Sequence, residues 1–237
     1  ARNDSFGTAL ANVVTNEWVK AGGDIGRKIL WNPENATFDS EAKAVTEGDP
    51  DAWVIIDFPD TFAKVGPALV RTGKWDAKKT FFTEAMYDEA VIETIGVDIM
   101  AGARGTAAKS IGVKSDSWKA KRKAAKPDTK ETFVDASGYD ATALLCLAAI
   151  HAKSTKASDI SKSLRAVSGS NGGKNIPWTK MKAAIKAAAA GKDFAYQGAW
   201  TTAKFDENGD SSGALFRVFS IDANGKLSSK DGEDVRF

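Results

Sequence analysis

Side chains able to do chemistry are few in this chain. Its 237 residues include one histidine, His151, and one cysteine, Cys146. They stand five positions apart, so a helix would place them on different faces. That spacing argues against a cysteine–histidine nucleophile, and Cys146 reads as a small core residue. The stretch from Gly102 to Ser110 has the look of a phosphate loop, but Ala103 and Ala108 occupy the positions where that loop needs glycine. The run Asp206-Glu207-Asn208-Gly209-Asp210 resembles half of a calcium loop. Ser211 then stands where glycine is required and Arg217 where glutamate is required, so the run reads as a turn. What remains are isolated acids, Asp4, Asp57 and Glu84. Together they could support acid–base or metal-dependent chemistry. Singly, an acid such as Glu84, directly after an apolar run, could receive a ligand's ammonium group.

The elements that must position these acids alternate. Residues 8–21 form a helical pattern through Leu10, Val14 and Trp18, stopped by Gly22-Gly23. Lys28–Trp31 is short and apolar, ended by Asn32-Pro33, and a weaker helix follows over 39–47. Ala52–Ile56 is apolar on both faces, as a buried parallel strand must be. Pro59 fits the first turn of a helix carrying Phe62, Val65, Leu69 and Val70. Thr80–Phe82 is a strand, Val91, Ile92 and Ile95 mark a helix, and Val97–Met100 is the next apolar run. This alternation predicts an α/β fold: an open parallel sheet with helices on both faces. From Gly102 to Lys130 the periodicity fades into a crossing region with some helix. Three helices follow, at 139–153 (stripe Leu144, Leu145, Ala149, Ile150), around Ile160–Val167, and at 178–190. The tail reads as a hairpin, Gly198–Phe205 and Ala214–Phe219, with Asn208-Gly209 at its tip.

Ligands bind open α/β sheets beyond the carboxyl ends of the strands. That rule selects four loops, at 2–7, 32–35, 57–60 and 83–87, and within them Ser5, Phe6, Asp57, Phe58, Glu84 and Met86 as candidate ligand contacts. Each loop mixes polar groups with an aromatic or a proline, as a pocket wall does. The competing reading makes Asp4, Ser5, Asp60 and Asp88 helix N-caps. Any one residue fits a cap better, while the four loops together fit a shared site. Composition narrows the partners. Thirty-three basic side chains against 31 acidic ones give a net charge of +2, too balanced for a nucleic-acid binder. The basic run Trp118–Lys126 reads as a solvated helix face. One cysteine allows no internal disulfide, and no cofactor or metal motif is present.

In order, these features resemble the type I periplasmic-binding-protein fold, in the leucine/isoleucine/valine-binding branch of ABC-transporter receptors. The carriers are Asn3–Gly7 opening a helix, Asp49-Pro50-Asp51 leading to a strand, Gly138-Tyr139-Asp140-Ala141 starting another helix, and the late turn at 205–210. The resemblance implies a chain lacking most of its first lobe: second lobe over 1–104, a returning first-lobe segment over 105–197 whose own sheet is missing, and re-entry over 198–237. It implies capture of an amino acid or similar small organic solute by hinge closure and delivery to a membrane permease. It also implies a periplasmic or extracellular location, with a lipid anchor in the full-length protein, and no catalysis. By position, Phe6 packs on the ligand, Glu84 receives its ammonium, and Asp57-Phe58 supplies an aromatic loop. Two rivals share the residues: a ligand-sensing domain of a receptor or regulator with this fold, and an α/β metal-dependent enzyme using Asp4, Asp57 and Glu84.

Overall fold

The alternating pattern of the first hundred residues becomes a parallel sheet. The computed structural model describes every residue except Lys130, Glu131, Phe133, Ala203, Asp231 and Phe237. The chain divides into two compact units, one made of Ala1–Ala108 with Phe216–Val235, the other built on Lys109–Leu215.

The first unit opens with α1 (Ser5–Lys20), whose N-cap Asp4 accepts from the Gly7 amide at 2.7 Å. It continues through α2 (Asp39–Thr46), β1 (Trp53–Ile55), α3 (Pro59–Arg71), β2 (Thr80–Phe82), α4 (Glu89–Ile95), α5 (Val97–Met100) and β3 (Arg104–Lys109). The chain later returns with β6 (Leu215–Ile221) and β7 (Leu227–Ser229). The strand order is β1-β2-β3-β6-β7, with β1, β2 and β3 parallel and β7 antiparallel to β6. Ala1–Asn3 extends the sheet beyond β1: the Arg2 amide donates to the Ile56 carbonyl at 3.0 Å, and Arg2 bridges Trp31 in parallel. The strands alternate. Trp53, Ile55 and Phe82 face a core with Phe62, Leu69, Met86, Ile92 and Phe219, while Val54 and Phe81 point away from it.

Two expectations for this unit need correction. Val97–Met100 is a short helix, and the strand comes later, at β3, inside the stretch expected to be a crossing. β3 is poor in branched residues because its inner side is squeezed. A Cβ at Gly105 would lie 2.4 Å from Cζ of Phe219 and 2.6 Å from the Phe82 carbonyl oxygen, so only a glycine fits between that ring and the β2 backbone, with small Ala103 and Ala107 buried on either side in sequence. The hairpin is also displaced. Asp206 does organise a turn, accepting from the Asn208 and Asp210 amides, but its flanks form no strand: they meet at the Phe205–Ser211 bridge and where the Ser212 amide donates to the Lys204 carbonyl at 2.7 Å. The true hairpin joins β6 and β7 through Asp222-Ala-Asn-Gly-Lys226, where Asp222 accepts from the Asn224 and Lys226 amides in the same way.

The second unit contains α6 (Ser115–Ala125), α7 (Asp135–Ala152), α8 (Ala157–Ser168), β4 (Lys174–Pro177), α9 (Met181–Ala189) and β5 (Phe194–Gln197). Its helices do not lack a partner: β4 and β5 pair in parallel, and Leu144, Leu147, Val167, Trp178, Phe194 and Tyr196 close a core of their own. Trp118 of α6 joins it by ring contacts to Tyr139 and Trp178, with centroids 5.2 and 5.9 Å away. On α7 the buried stripe is Ala143, Leu144, Leu147 and Ala148; Leu145 and Cys146 are exposed, so Cys146 is not a core residue. Segment limits expected at 104 and 197 compare with contact boundaries at 108 and 215. Beyond 197 the chain stays with the second unit, where the amides of residues 199–201 donate to Asp140 on α7.

Candidate functional site

The parallel register places three turns side by side. Ile55 pairs with Phe82, so Asp57 and Glu84 each follow two residues past a matched pair. Arg2 lies on the other side of β1, bonded to Ile56. The loops after Asn3, after β1 and after β2 therefore leave the sheet along one edge, the edge where α/β sheets take ligands.

Arg2 organises this rim. Its Nε contacts Asp4 Oδ2 at 2.6 Å, its Nη1 reaches Thr61 Oγ1 at 3.2 Å and Asp60 at 3.5 Å, and its guanidinium sits 4.7 Å over the Phe58 ring. Phe6 stacks on Phe58 at 5.2 Å and 25° between planes, so two aromatics from separate loops make one apolar surface. Phe58 is 36% exposed and Phe6 half-buried. Glu84 begins a single 3-10 turn (Glu84–Met86) and is half-buried. Ser5 is exposed at the first position of α1; it is not a cap, and neither is Asp60, whose helix is capped by Phe58, whereas Asp4 and Asp88 are.

Two expected contacts face inward. Met86 has no exposed surface and packs in the core of the first unit, because the 3-10 turn rotates it under the sheet edge. Asp57 is equally buried. Its Oδ1 accepts from the Phe58 amide at 2.8 Å, Arg2 Nη1 stands 3.9 Å away, and among the described residues its Oδ2 has no partner at hydrogen-bond geometry. Burial pushes its carboxyl up from 3.8 to about 7, against the downward pull of that amide, Arg2 and the chain's amino group. Asp57 therefore shapes the rim from behind. Tyr87, within the selected loop 83–87 but outside the six candidate contacts, has a hydroxyl that accepts from Arg217 Nη1 at 2.7 Å while its ring receives the guanidinium at 5.0 Å.

None of these side chains lines the groove of about 420 Å³ between α2 and α3, which is walled by Asp39, Lys43, Glu47, Arg71 and Lys74. Among the described residues no group of three or more His, Cys, Asp or Glu side chains could hold a metal ion, and no helix is long and apolar enough to cross a membrane.

Within the second unit the densest polar cluster surrounds Asp140. Its carboxylate accepts from the amides of Ala199 (3.0 Å), Trp200 (2.7 Å) and Thr201 (3.1 Å) and from the Tyr196 hydroxyl (3.0 Å). A Cβ at Gly198 would lie 2.1 Å from Asp140 Oδ2. The loop so held carries the other segment that leaves the boundary: the Ile111 amide donates to Trp200, the Val113 amide to Gly198, and the Ser110 hydroxyl to Ala199 and Trp200 carbonyls. His151 joins Ser163 (3.3 Å, Nδ1) and Asp193 (3.4 Å, Nε2), tying α7 to α8 and to the entry of β5. A serine, a histidine and an acid thus meet, but on a helix-packing seam of the second unit.

No family model and no curated protein matches the chain by sequence. Solved structures do match by fold. The leucine-binding protein LivK of Thermotoga maritima superposes with a TM-score of 0.69 at 17% identity, over 96% of this chain and 57% of that one. A type 1 periplasmic binding protein of Bordetella pertussis gives 0.62 at 14%, over 97% and 59%. The branched-chain amino acid transporter substrate-binding protein LivJ of Streptococcus pneumoniae, in complex with isoleucine, gives 0.63 at 13%, over 99% and 57%. The chain thus spans less than two thirds of these structures. At such identities the likeness speaks for architecture alone: the chain has the type I periplasmic-binding-protein fold.

Proposed function

We propose that this chain is the ligand-binding part of an extracytoplasmic solute-binding protein that captures an amino acid or similar small organic solute and delivers it to an ABC-transporter permease, without catalysis. The observation that carries the reading is the rim: Phe6 stacked on Phe58, with Glu84 on the adjacent turn, at the carboxyl ends of parallel strands. In this reading the paired rings cover the ligand's apolar part, Glu84 receives its ammonium, and Ser5 offers a hydroxyl at the start of α1. Asp57 supports Phe58 through its amide, and Met86 is a core residue. The lobes close on the ligand by hinge motion, and the closed form engages the permease. A periplasmic or extracellular location, with a lipid anchor on the full-length protein, belongs to the same proposal. Solved structures of the same fold include proteins described as extracellular ligand-binding receptors, which keeps a sensory role as the second reading.

Calorimetric titration of the full-length protein with leucine, isoleucine, valine and aromatic amino acids tests the reading. At least one should bind, and E84Q should weaken an α-amino ligand by tenfold or more while leaving its deaminated analogue unaffected, about 1.5–3 kcal/mol for a charge-assisted bond. Binding indifferent to both E84Q and F58A would sink the proposed wall.

A further inference from the structure

The near-neutral charge of the chain conceals two opposite populations. Residues 1–108 and 216–235, which build the first unit, hold 14 Lys and Arg against 21 Asp and Glu, a net of −7. Lys109–Leu215 holds 18 against ten, a net of +8, and 16 of those 18 are lysines. The excess is dense on α6 and its C-cap, where Lys119, Lys121, Lys123 and the C-cap Lys126 are all exposed. Arg122 is paired with Asp135 at 2.8 Å, and no acidic partner meets those four lysines among the described residues. The acids nearest in sequence are Asp116 and Asp128. Trp118, the one aromatic of α6, is turned inward onto Trp178, which begins the 3-10 turn Trp178–Lys180 leading into α9. Lys180 and Lys182, both exposed, follow Trp178 in that turn and at the start of α9.

A solvated helix with lysines in its last turn would need no partner, since they favour the helix dipole. That account covers one helix; it does not cover an imbalance spread over the whole unit and mirrored by the opposite sign in the other. The chemistry of the excess is informative too. Arginine forks recognise carboxylates with fixed geometry, whereas lysine is a flexible point charge suited to a diffuse anionic surface. We propose that the second unit, through α6 and the adjoining start of α9, docks on an anionic lipid surface, held by charge and without insertion, because Trp118 faces the core. The proposal does not depend on the transport reading; it depends on the charge map alone.

Sedimentation with large unilamellar vesicles is the test, using this chain and vesicles of phosphatidylglycerol mixed into phosphatidylcholine against phosphatidylcholine alone. At about 20 mM salt the chain should co-sediment with the anionic vesicles only, and at about 150 mM salt, where the Debye length falls to about 8 Å, binding should drop sharply. The K119Q/K121Q/K123Q/K126Q variant, checked for native circular dichroism, should lose about tenfold or more in vesicle affinity. K43Q/K64Q/K74Q, which removes three lysines from the first unit, should bind as the parent does. Absence of binding to the anionic vesicles at low salt overturns the proposal. So do equal binding to neutral vesicles, equal loss in both variants, and retention on a polyglutamate column without vesicle binding, the last pointing to an acidic protein partner instead.

Discussion

Removing the Asp140 carboxylate tests how the second unit holds the segments at its boundary. Asp140 is 1% exposed and accepts from three amides and one phenol. In Asp140→Ala, two of those donors, the Tyr196 hydroxyl and the Ala199 amide, stay in residues that are 2% and 3% exposed and lose their acceptor. The amides of half-buried Trp200 and Thr201 can turn to water. Each stranded buried donor costs about 1–3 kcal/mol, so the variant should lose about 4 kcal/mol in all. In a unit of this size that lowers the melting temperature by more than about 10 °C. Asp140→Asn, which keeps one acceptor oxygen, should lose about half as much. Tyr196→Phe removes one donor together with its need and should cost about 1 kcal/mol. Because two units need not unfold together, the decisive assay is site-resolved hydrogen exchange. The amides of 199–201, and then of Ile111 and Val113, should lose protection in Asp140→Ala while β1 and β2 keep theirs. Unchanged protection at 199–201, with a stability loss below about 1 kcal/mol, would refute the assignment of Asp140 as the clasp.

Three other outcomes are expected. Gly7→Ala should cost about 2–4 kcal/mol in chemical denaturation, since a Cβ there would lie 2.1 Å from the Arg2 carbonyl oxygen and α1 would have to back away. Asp57 should bend the stability–pH curve: the acid rises from 3.8 to about 7, so the folded state binds the extra proton and stability falls as pH climbs from about 4 towards 7. Denaturation between pH 4 and 8 should show this decline levelling off above about 7, and Asp57→Asn should abolish it. Burial, and then the Asp140 charge, raise the Tyr196 phenol above its ordinary 10, so alkaline denaturation above pH 10 should be steeper for the parent than for Tyr196→Phe.

The parallel sheet was legible wherever a strand carried its own signal. Trp53–Ile55 and Thr80–Phe82 are continuous apolar runs, and Pro59 and Asp88 mark helix starts, so those elements sit where periodicity puts them. β3 was hidden because its role is to be thin: Gly105 and Ala107 make room for Phe82 and Phe219, and small residues have no strand signature. β4 and β5 were hidden for the opposite reason, each being a four-residue strand beside a strong helical pattern. The two turns with Asp-x-Asn-Gly were indistinguishable locally. Only the flanking residues that find a partner strand, Phe219–Ile221 with Leu227–Ser229, decide which is a hairpin.

The rim and the clasp differ in legibility because they are built at different ranges. Each rim loop follows its own strand, so topology gathers Phe6, Phe58 and Glu84 once the strands are known. Whether a rim residue looks outward is decided by one more turn of backbone, which is how Met86 and Asp57 come to face the core. The Asp140 cluster joins residues 59 to 61 positions apart through backbone amides, and an amide leaves no mark in a sequence. Charge behaves like the clasp. Taken over 237 residues it is nearly null, and that value argued for an unremarkable surface. Once contacts divide the chain, the same residues are a net −7 and a net +8. A net charge is therefore a statement about partners only after the folding units are known, since each unit presents its own field to its surroundings.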